Sequence, residues 1–121
     1  MKSVLLLGSG GQLGRLVQAV TPGDNRLTGK THQDLDITDI RARESVITDV
    51  KPYIVINCAA YTAVDKAESE PEKAYSMNAE APGNIAGLLD PVTRLIHLST
   101  DFVFSKHSEI PYKPGCTPQP V

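Results

Sequence analysis

An α/β fold with a parallel, doubly wound sheet is what this sequence predicts, and three observations predict it. Short apolar runs alternate with stretches of helical period along the chain. The first run, Ser3–Leu7, leads straight into Gly8, Gly11 and Gly14 and then into an amphipathic stretch. Hydroxyl and polar residues collect just after the apolar runs, where the ligand crevice of such a sheet lies.

The elements follow in order. Ser3–Leu7 is continuously apolar, as expected of a strand covered on both faces. Gln12–Val20 carries Leu13, Leu16, Val17 and Val20 at helical spacing, and residues 21–24, Thr-Pro-Gly-Asp, end it. Arg26–Thr31 is a weak second strand. Asp39 is placed to cap a helix over Ile40–Val50, with Val46, Ile47 and Val50 turned inward and Lys51-Pro52 as its stop. Tyr53–Cys58 is rich in β-branched residues and reads as a third strand. Ser69–Leu89 contains a helix with Pro71 in its first turn. Pro82 and Gly83 lie inside that pattern, so a kink or two helices are expected. Leu95–Ser99 is the fourth strand, and from Ser105 onward the proline-rich chain is loop-like. Right-handed crossovers then build a Rossmann-like, three-layer α/β/α arrangement. Residues 1–104 form its dinucleotide-binding half and 105–121 a trailing loop.

Composition narrows the function classes. The chain has 121 residues, 40% hydrophobic and 21% charged, with a net charge of −2. That balance carries no electrostatic footprint for nucleic acid or for an anionic membrane. No apolar run approaches the ~20 residues of a membrane span, and no signal peptide is legible at the N-terminus. Cys58 and Cys116 lack metal-ligand spacing, and a reducing, cytoplasmic setting is expected. Cys58 reads as a small apolar filler of the third strand. His32 and His107 fall in predicted loops without companion ligands, so no metal site is expected.

The glycine stretch carries the clearest chemistry. Glycine permits a sharp turn off a strand and a close backbone approach to a bound group. The helix behind it presents unpaired N–H groups and the positive end of its dipole, a site suited to a pyrophosphate. The spacing Gly-x-x-Gly-x-x-Gly differs from the commoner Gly-x-Gly-x-x-Gly, with Gly10 as an additional glycine. Many such folds place an acid on the adenosine ribose about twenty residues further on. Here Lys30 and Thr31 stand at the end of the second strand instead; they would tolerate a 2′-phosphate, which mildly favours NADP over NAD, and Lys30 reads equally as an ordinary solvated lysine. Asp36 has two readings, an acceptor for the adenine amino group or a helix-entry turn. A hydrolase reading of His97, Ser99 and Asp101 fails, because three residues alternating along one strand do not converge into a triad.

Five stretches occur together and in order. They are Gly8-Ser9-Gly10-Gly11-Gln12-Leu13-Gly14, Leu35-Asp36-Ile37-Thr38-Asp39, the run from Asn57 through Ala59-Ala60-Tyr61 to Glu68, Asn78, and the run Leu98 to Phe104. In these the chain resembles the dTDP-4-dehydrorhamnose reductase family, a branch of the extended short-chain dehydrogenase/reductases, over essentially its whole length. The resemblance implies reduction of a dTDP-4-keto-6-deoxyhexose by NADPH or NADH, the step that yields dTDP-L-rhamnose. It implies that Gly8, Gly11, Gln12, Leu13 and Gly14 cradle the pyrophosphate, and that Asp36 and Ile37 lie on the adenine side. Ala59, Ala60 and Tyr61 would line the ribose and nicotinamide path, with Ser99 at the floor. Thr100 matches the family's catalytic hydroxyl, a donor suited to the negative charge that develops on a reduced carbonyl oxygen. Asp101 would touch substrate or serve the local structure. Asn78 would do the same, or organise the backbone around the site.

One departure matters. The family's Tyr-x-x-x-Lys, whose tyrosine gives the proton to the carbonyl oxygen, is not found. Tyr53, Tyr61, Tyr75 and Tyr112 are followed four positions later by Asn57, Asp65, Ala79 and Cys116. The segment 105–121 resembles the approach to that motif. The expectation is a cofactor-binding part with little activity alone. The rival expectation is a non-catalytic dinucleotide-binding module that acts through a partner. A half-sheet with an exposed fourth strand also predicts self-association into a homo-oligomer.

Overall fold

A computed structural model describes residues 1–23, 25–104 and 108–119. Four parallel strands form one sheet in the order β2-β1-β3-β4: β1 Ser3–Leu7, β2 Arg26–Lys30, β3 Ile54–Asn57 and β4 Arg94–His97. Helix α1 covers Gln12–Val20 and α2 covers Ile40–Val50, both with the expected bounds. The last three strands are each a residue or two shorter than their patterns, because strand pairing stops where the crevice loops begin. The terminating Asp24, His107 and the start of the trailing loop at Ser105 lie outside the described residues.

The third crossover departs most from the sequence reading. It begins with α3, Val64–Ser69, which the pattern did not show. Then α4, Pro71–Tyr75, passes into a π-helical turn, Ser76–Glu80, and on into α5, Ala81–Leu88. Pro71 sits in the first turn of its helix, where a missing N–H costs nothing, and Pro82 is the second residue of α5, directly behind the π-helical turn. The irregularity expected at Pro82-Gly83 is thus the widened turn just before it. After β4, a short 3-10 turn spans Asp101–Val103. Residues 108–119 contain no helix or strand. They return to this turn through Gln119, whose N–H donates to Val103 C=O at 2.7 Å, and through Tyr112 stacked on Phe104 at 4.3 Å.

Strand order fixes which face each helix covers. The chain steps one way from β1 to β2, then the other way to β3 and β4. Right-handed crossovers therefore put α1 on one face and the later helices on the other. The core sits on that second face: Leu5, Leu7, Leu35, Ile37, Val55, Ala81 and Ile85, with Val46, Ile47 and Val50 packed against them. On the α1 face, Leu6, Ile56 and Ile96 stand in register across three strands. Exposure rises along that row, from fully buried Leu6 to Ile96 at 49%. The apolar stripe of α1 also faces solvent, with Leu16 at 58% and Val20 at 75%.

Candidate functional site

The turn from β1 into α1 is built by glycine where the backbone demands it. Gly8 has φ +74°, and a Cβ there would lie 2.6 Å from Ala59 N. A Cβ on Gly14 would meet Gly8 O at 2.2 Å. Both glycines let the loop close on itself and on the chain leaving β3. Gly11 differs: its φ is −76°, and a Cβ would meet only Gly8 O, at 3.5 Å. The fold itself does not require glycine at position 11. Gly8 and Ser9 N–H both donate to Lys30 C=O at 3.0 Å, which ties the loop to the end of β2.

Helix α1 starts without a side-chain cap and without an acid in its first turn. Among the described residues, the N–H groups of Gln12, Leu13 and Gly14 find no acceptor. These free donors, with the helix dipole behind them, suit an anion. They open into a cavity of about 890 Å³ at the carboxyl ends of β1, β2 and β3. Its walls are Gly8, Gly10, Gly11, Gln12, Leu13, Gly14 and Arg15 from the loop and α1. Thr31, His32, Gln33, Leu35 and Ile37 follow β2; Cys58, Ala59, Ala60 and Thr62 follow β3; Met77 comes from the π-helical turn. The lining holds no carboxylate, and its charged or titratable side chains are Arg15, His32 and Cys58. A second, smaller cavity of about 470 Å³ lies at the opposite ends of the strands, around Lys51, Pro52 and Asp90.

The residues expected at the site divide in two. Gly8, Gly11, Gln12, Leu13, Gly14, Ile37, Ala59 and Ala60 share the cavity wall. Lys30, Asp36, Tyr61, Asn78, Ser99, Thr100 and Asp101 do not line it. Lys30 is the last residue of β2, and the cationic side chain on the wall is Arg15 instead. Asp36 follows the helix-entry reading: its Oδ1 accepts from Thr38 N–H at 2.9 Å and from Thr38 Oγ1 at 2.7 Å. Those bonds hold its carboxyl below the usual range. Thr100 Oγ1 accepts from Phe102 N–H at 3.3 Å, capping the 3-10 turn, and lies 3.4 Å from Asp101 Oδ1 as donor. Thr100, Ser99 and Asp101 are all exposed just beyond β4. Strand β4 ends at His97, so Ser99 and Asp101 do not even share its ladder. Cys58 is half-buried on the cavity wall rather than a filler inside the strand, and burial pushes its thiol up.

Several wall residues were missed. His32 and Gln33 follow the expected Thr31 at the end of β2, so the rule that ligands sit at carboxyl ends would have found them. Met77 had no local signal, because its placement depends on the π-helical turn. The buried Arg43 was also missed. Its Nη1 donates to Ile37 C=O at 2.8 Å, fixing the segment that walls the cavity, while its buried Nε has no partner. Asn57 is fully buried at the end of β3; its Oδ1 accepts from Ala59 N–H at 3.0 Å, and its Nδ2 lies 3.2 Å from His97 Nδ1. Among the described residues no cluster of three or more His, Cys, Asp or Glu could hold a metal. None of their helices is long and apolar enough to cross a membrane.

Known proteins share this arrangement. The family model described as the RmlD substrate binding domain matches residues 1–121. A dTDP-4-dehydrorhamnose reductase of Mycolicibacterium smegmatis is 45% identical over 104 residues, covering 84% of this chain and 31% of its own length. A probable dTDP-4,6-dihydroxy-2-methyloxan-3-one 4-ketoreductase of Streptomyces antibioticus is 42% identical over 111 residues, covering 89% of this chain and 38% of its own length. The crystal structure of dTDP-4-dehydrorhamnose reductase from Bacillus anthracis in complex with NADP superposes with a TM-score of 0.92 at 35% identity, over 99% of this chain and 44% of that one. The chain thus spans well under half the length of these relatives. With the family model matching every residue and the Bacillus anthracis structure superposing over 99% of the chain, the chain belongs to the RmlD family of dTDP-4-dehydrorhamnose reductases.

Proposed function

We propose that this chain is the dinucleotide-binding part of an NAD(P)H-dependent reductase of a dTDP-4-keto-6-deoxy sugar, of the kind that turns dTDP-4-dehydrorhamnose into dTDP-L-rhamnose. One arrangement carries the reading: the glycine loop and the free N–H groups of α1 opening into the cavity of about 890 Å³. The NADP held by the Bacillus anthracis relative supports it. The dinucleotide, when bound, supplies the hydride. Gly8, Gly11, Gln12, Leu13 and Gly14 receive the pyrophosphate, and Ile37 walls the adenine side. Ala59 and Ala60 flank the path to the nicotinamide, with Tyr61 and Ser99 beyond. Thr100 offers its hydroxyl to the carbonyl oxygen, releasing Asp101 to do so. Asp101 and Asn78 are the nearest candidates for further polar contacts. On the adenosine ribose the absence of any wall carboxylate and the presence of Arg15 favour NADPH over NADH. The setting proposed is the cytoplasm, where both the dinucleotide and the nucleotide sugar are made.

The tyrosine-to-lysine spacing of the family's proton donor occurs nowhere in the 121 residues. The second reading is a dinucleotide-binding module that acts through a partner. Calorimetric titration of the purified chain tests what the two share: saturable binding of NADPH is expected, and flat titrations with both NADPH and NADH would sink it. Turnover tests whether the chain acts alone. No oxidation of NADPH is expected from the chain alone with dTDP-4-keto-6-deoxymannose, and steady turnover would overturn the division of labour proposed here.

A further inference from the structure

We infer that Gln18 is a positioning residue of the glycine loop, latching Ser9 from the second turn of α1 and so holding the Gly10 N–H toward the dinucleotide. The inference rests on the dinucleotide reading above. Gln18 Nε2 donates to Ser9 C=O at 3.0 Å, while its other acceptor, Gly14 C=O, lies at 3.5 Å. Ser9 N–H donates to Lys30 C=O at 3.0 Å. Both backbone groups of Ser9 are therefore held, one by β2 and one by α1. Ser9 is only 5% exposed, and among the described residues its carbonyl has no partner besides Gln18. A buried acceptor left unpaired is costly, so without Gln18 the loop must shift to find a partner or water.

Strand β2 makes room for the latch. Gly29 stands beside Leu6 in the register, on the face that α1 covers. A Cβ on Gly29 would lie 3.0 Å from Ser9 Cβ and 3.1 Å from Gln18 Oε1. A glycine inside a strand marks a close approach by another part of the chain, and here both Ser9 and Gln18 approach. Three elements thus meet at one point: the loop at Ser9, α1 at Gln18 and β2 at Gly29 and Lys30.

The consequence falls on the next residue. Among the described residues no peptide bond is cis. In a trans peptide the C=O and the following N–H point in opposite directions. Gln18 is absent from the cavity wall and Gly10 is part of it. Drawing the Ser9 carbonyl back to Gln18 therefore turns the Gly10 N–H the other way, to the cavity. That N–H has no acceptor among the described residues, so it joins those of Gln12, Leu13 and Gly14 as a free donor. A glycine-rich loop samples many shapes, and only the fraction shaped for ligand binds it. The latch raises that fraction without touching the ligand itself.

The test compares wild type with Gln18→Met and Gln18→Glu, using thermal melting, hydrogen exchange at the Ser9 amide, and calorimetry with NADP+, which survives acid. Gln18 is exposed as a residue, so both variants should melt close to wild type. Methionine keeps the length and loses the donor; Gln18→Met should weaken NADP+ by about fivefold and unprotect the Ser9 amide. Gln18→Glu sets a carboxylate against the carbonyl at neutral pH and should weaken binding by about tenfold. At about pH 5 that carboxyl, raised by the facing carbonyl, takes up a proton and regains a donor. The gap between Gln18→Glu and wild type should then narrow to less than about half, while the gap for Gln18→Met stays as it was. Groups common to the three proteins cancel in these ratios. Gln18→Met binding within about twofold of wild type overturns the inference, as does a Gln18→Glu gap that ignores pH. If wild type itself binds no dinucleotide, the functional reading fails, while the latch is still decided by the Ser9 amide: equal protection in all three proteins refutes it.

Discussion

At the residue scale, the glycines of the β1–α1 loop perform different tasks that their even spacing conceals. Gly14 lies against Gly8 O, and a Cβ there would clash at 2.2 Å, so Gly14→Ala should cost roughly 1–2 kcal/mol and move the loop. Gly11 has room for a Cβ inside the protein, so Gly11→Ala should melt near wild type yet lose NADPH binding, because the methyl would occupy the space of the ligand. Denaturant unfolding and calorimetry on the two variants read the contrast; equal stability losses would refute it. Two aspartates add a pH dependence. Asp34 is held low chiefly by Thr31 N–H and then its hydroxyl, Asp36 chiefly by the Thr38 hydroxyl and then its N–H. Their folded pKa values lie below the ordinary 3.8, so what they contribute is complete above that value and is lost as pH falls through the lowered ones. Acid should therefore unprotect the Thr31 and Thr38 amides while the β1 amides stay protected, as hydrogen exchange below pH 3.8 would register. Spacing in the sequence revealed which residues are glycine and which are acidic. Which glycine has room for a Cβ and which acid closes a turn depended on how the chain folds around them.

Elements were most legible where local signals agreed. Helix α2 begins at its expected cap: Asp39 Oδ1 accepts from Ala42 N–H at 3.0 Å. It ends with Lys51 in the left-handed region at φ 46°, its N–H bonded to Ile47 C=O. Asp39→Ala should cost about 1 kcal/mol and Asp39→Asn much less, measured by urea unfolding. Lys51→Gly should stabilise by a few tenths of a kcal/mol or more, because glycine carries no penalty at positive φ. The third crossover was legible only in part. Pro71 marked a helix start and Pro82-Gly83 an irregularity, but they did not mark that irregularity as a π-helical turn over Ser76–Glu80. Within the turn Met77 packs on the core and Asn78 bonds to Tyr61, contacts that lie far apart in the sequence.

At the scale of the whole molecule, the two sheet faces are unequal. The α2–α5 face closes a core around Leu5, Val55 and Ile85, all fully buried. The α1 face leaves Ile96 and Leu98 and the stripe of Leu16 and Val20 in solvent, beside the unpaired edge of β4. Burial of apolar area and of open strand edges drives association. The 121-residue chain is therefore expected to self-associate as concentration rises, and Ile96→Lys or Leu16→Lys to weaken that association without unfolding the core. Sedimentation velocity on the three proteins checks it; a wild-type monomer at high concentration would contradict it.

The sequence by itself determined the parallel α/β class, the position of the glycine turn, the bounds of α1 and α2 and the family. Each is written in residues adjacent along the chain, where backbone preference and hydrophobic period act locally. Only the tertiary structure decided which residues wall the crevice. It put Arg15, Thr31, His32, Cys58 and Met77 on the wall, and it turned Asp36 and Thr100 to closing turns of their own. It also set Asn78 against Tyr61. Those outcomes depend on where parallel strands end relative to one another and on how one widened turn rotates a helix, and neither is encoded within any short stretch.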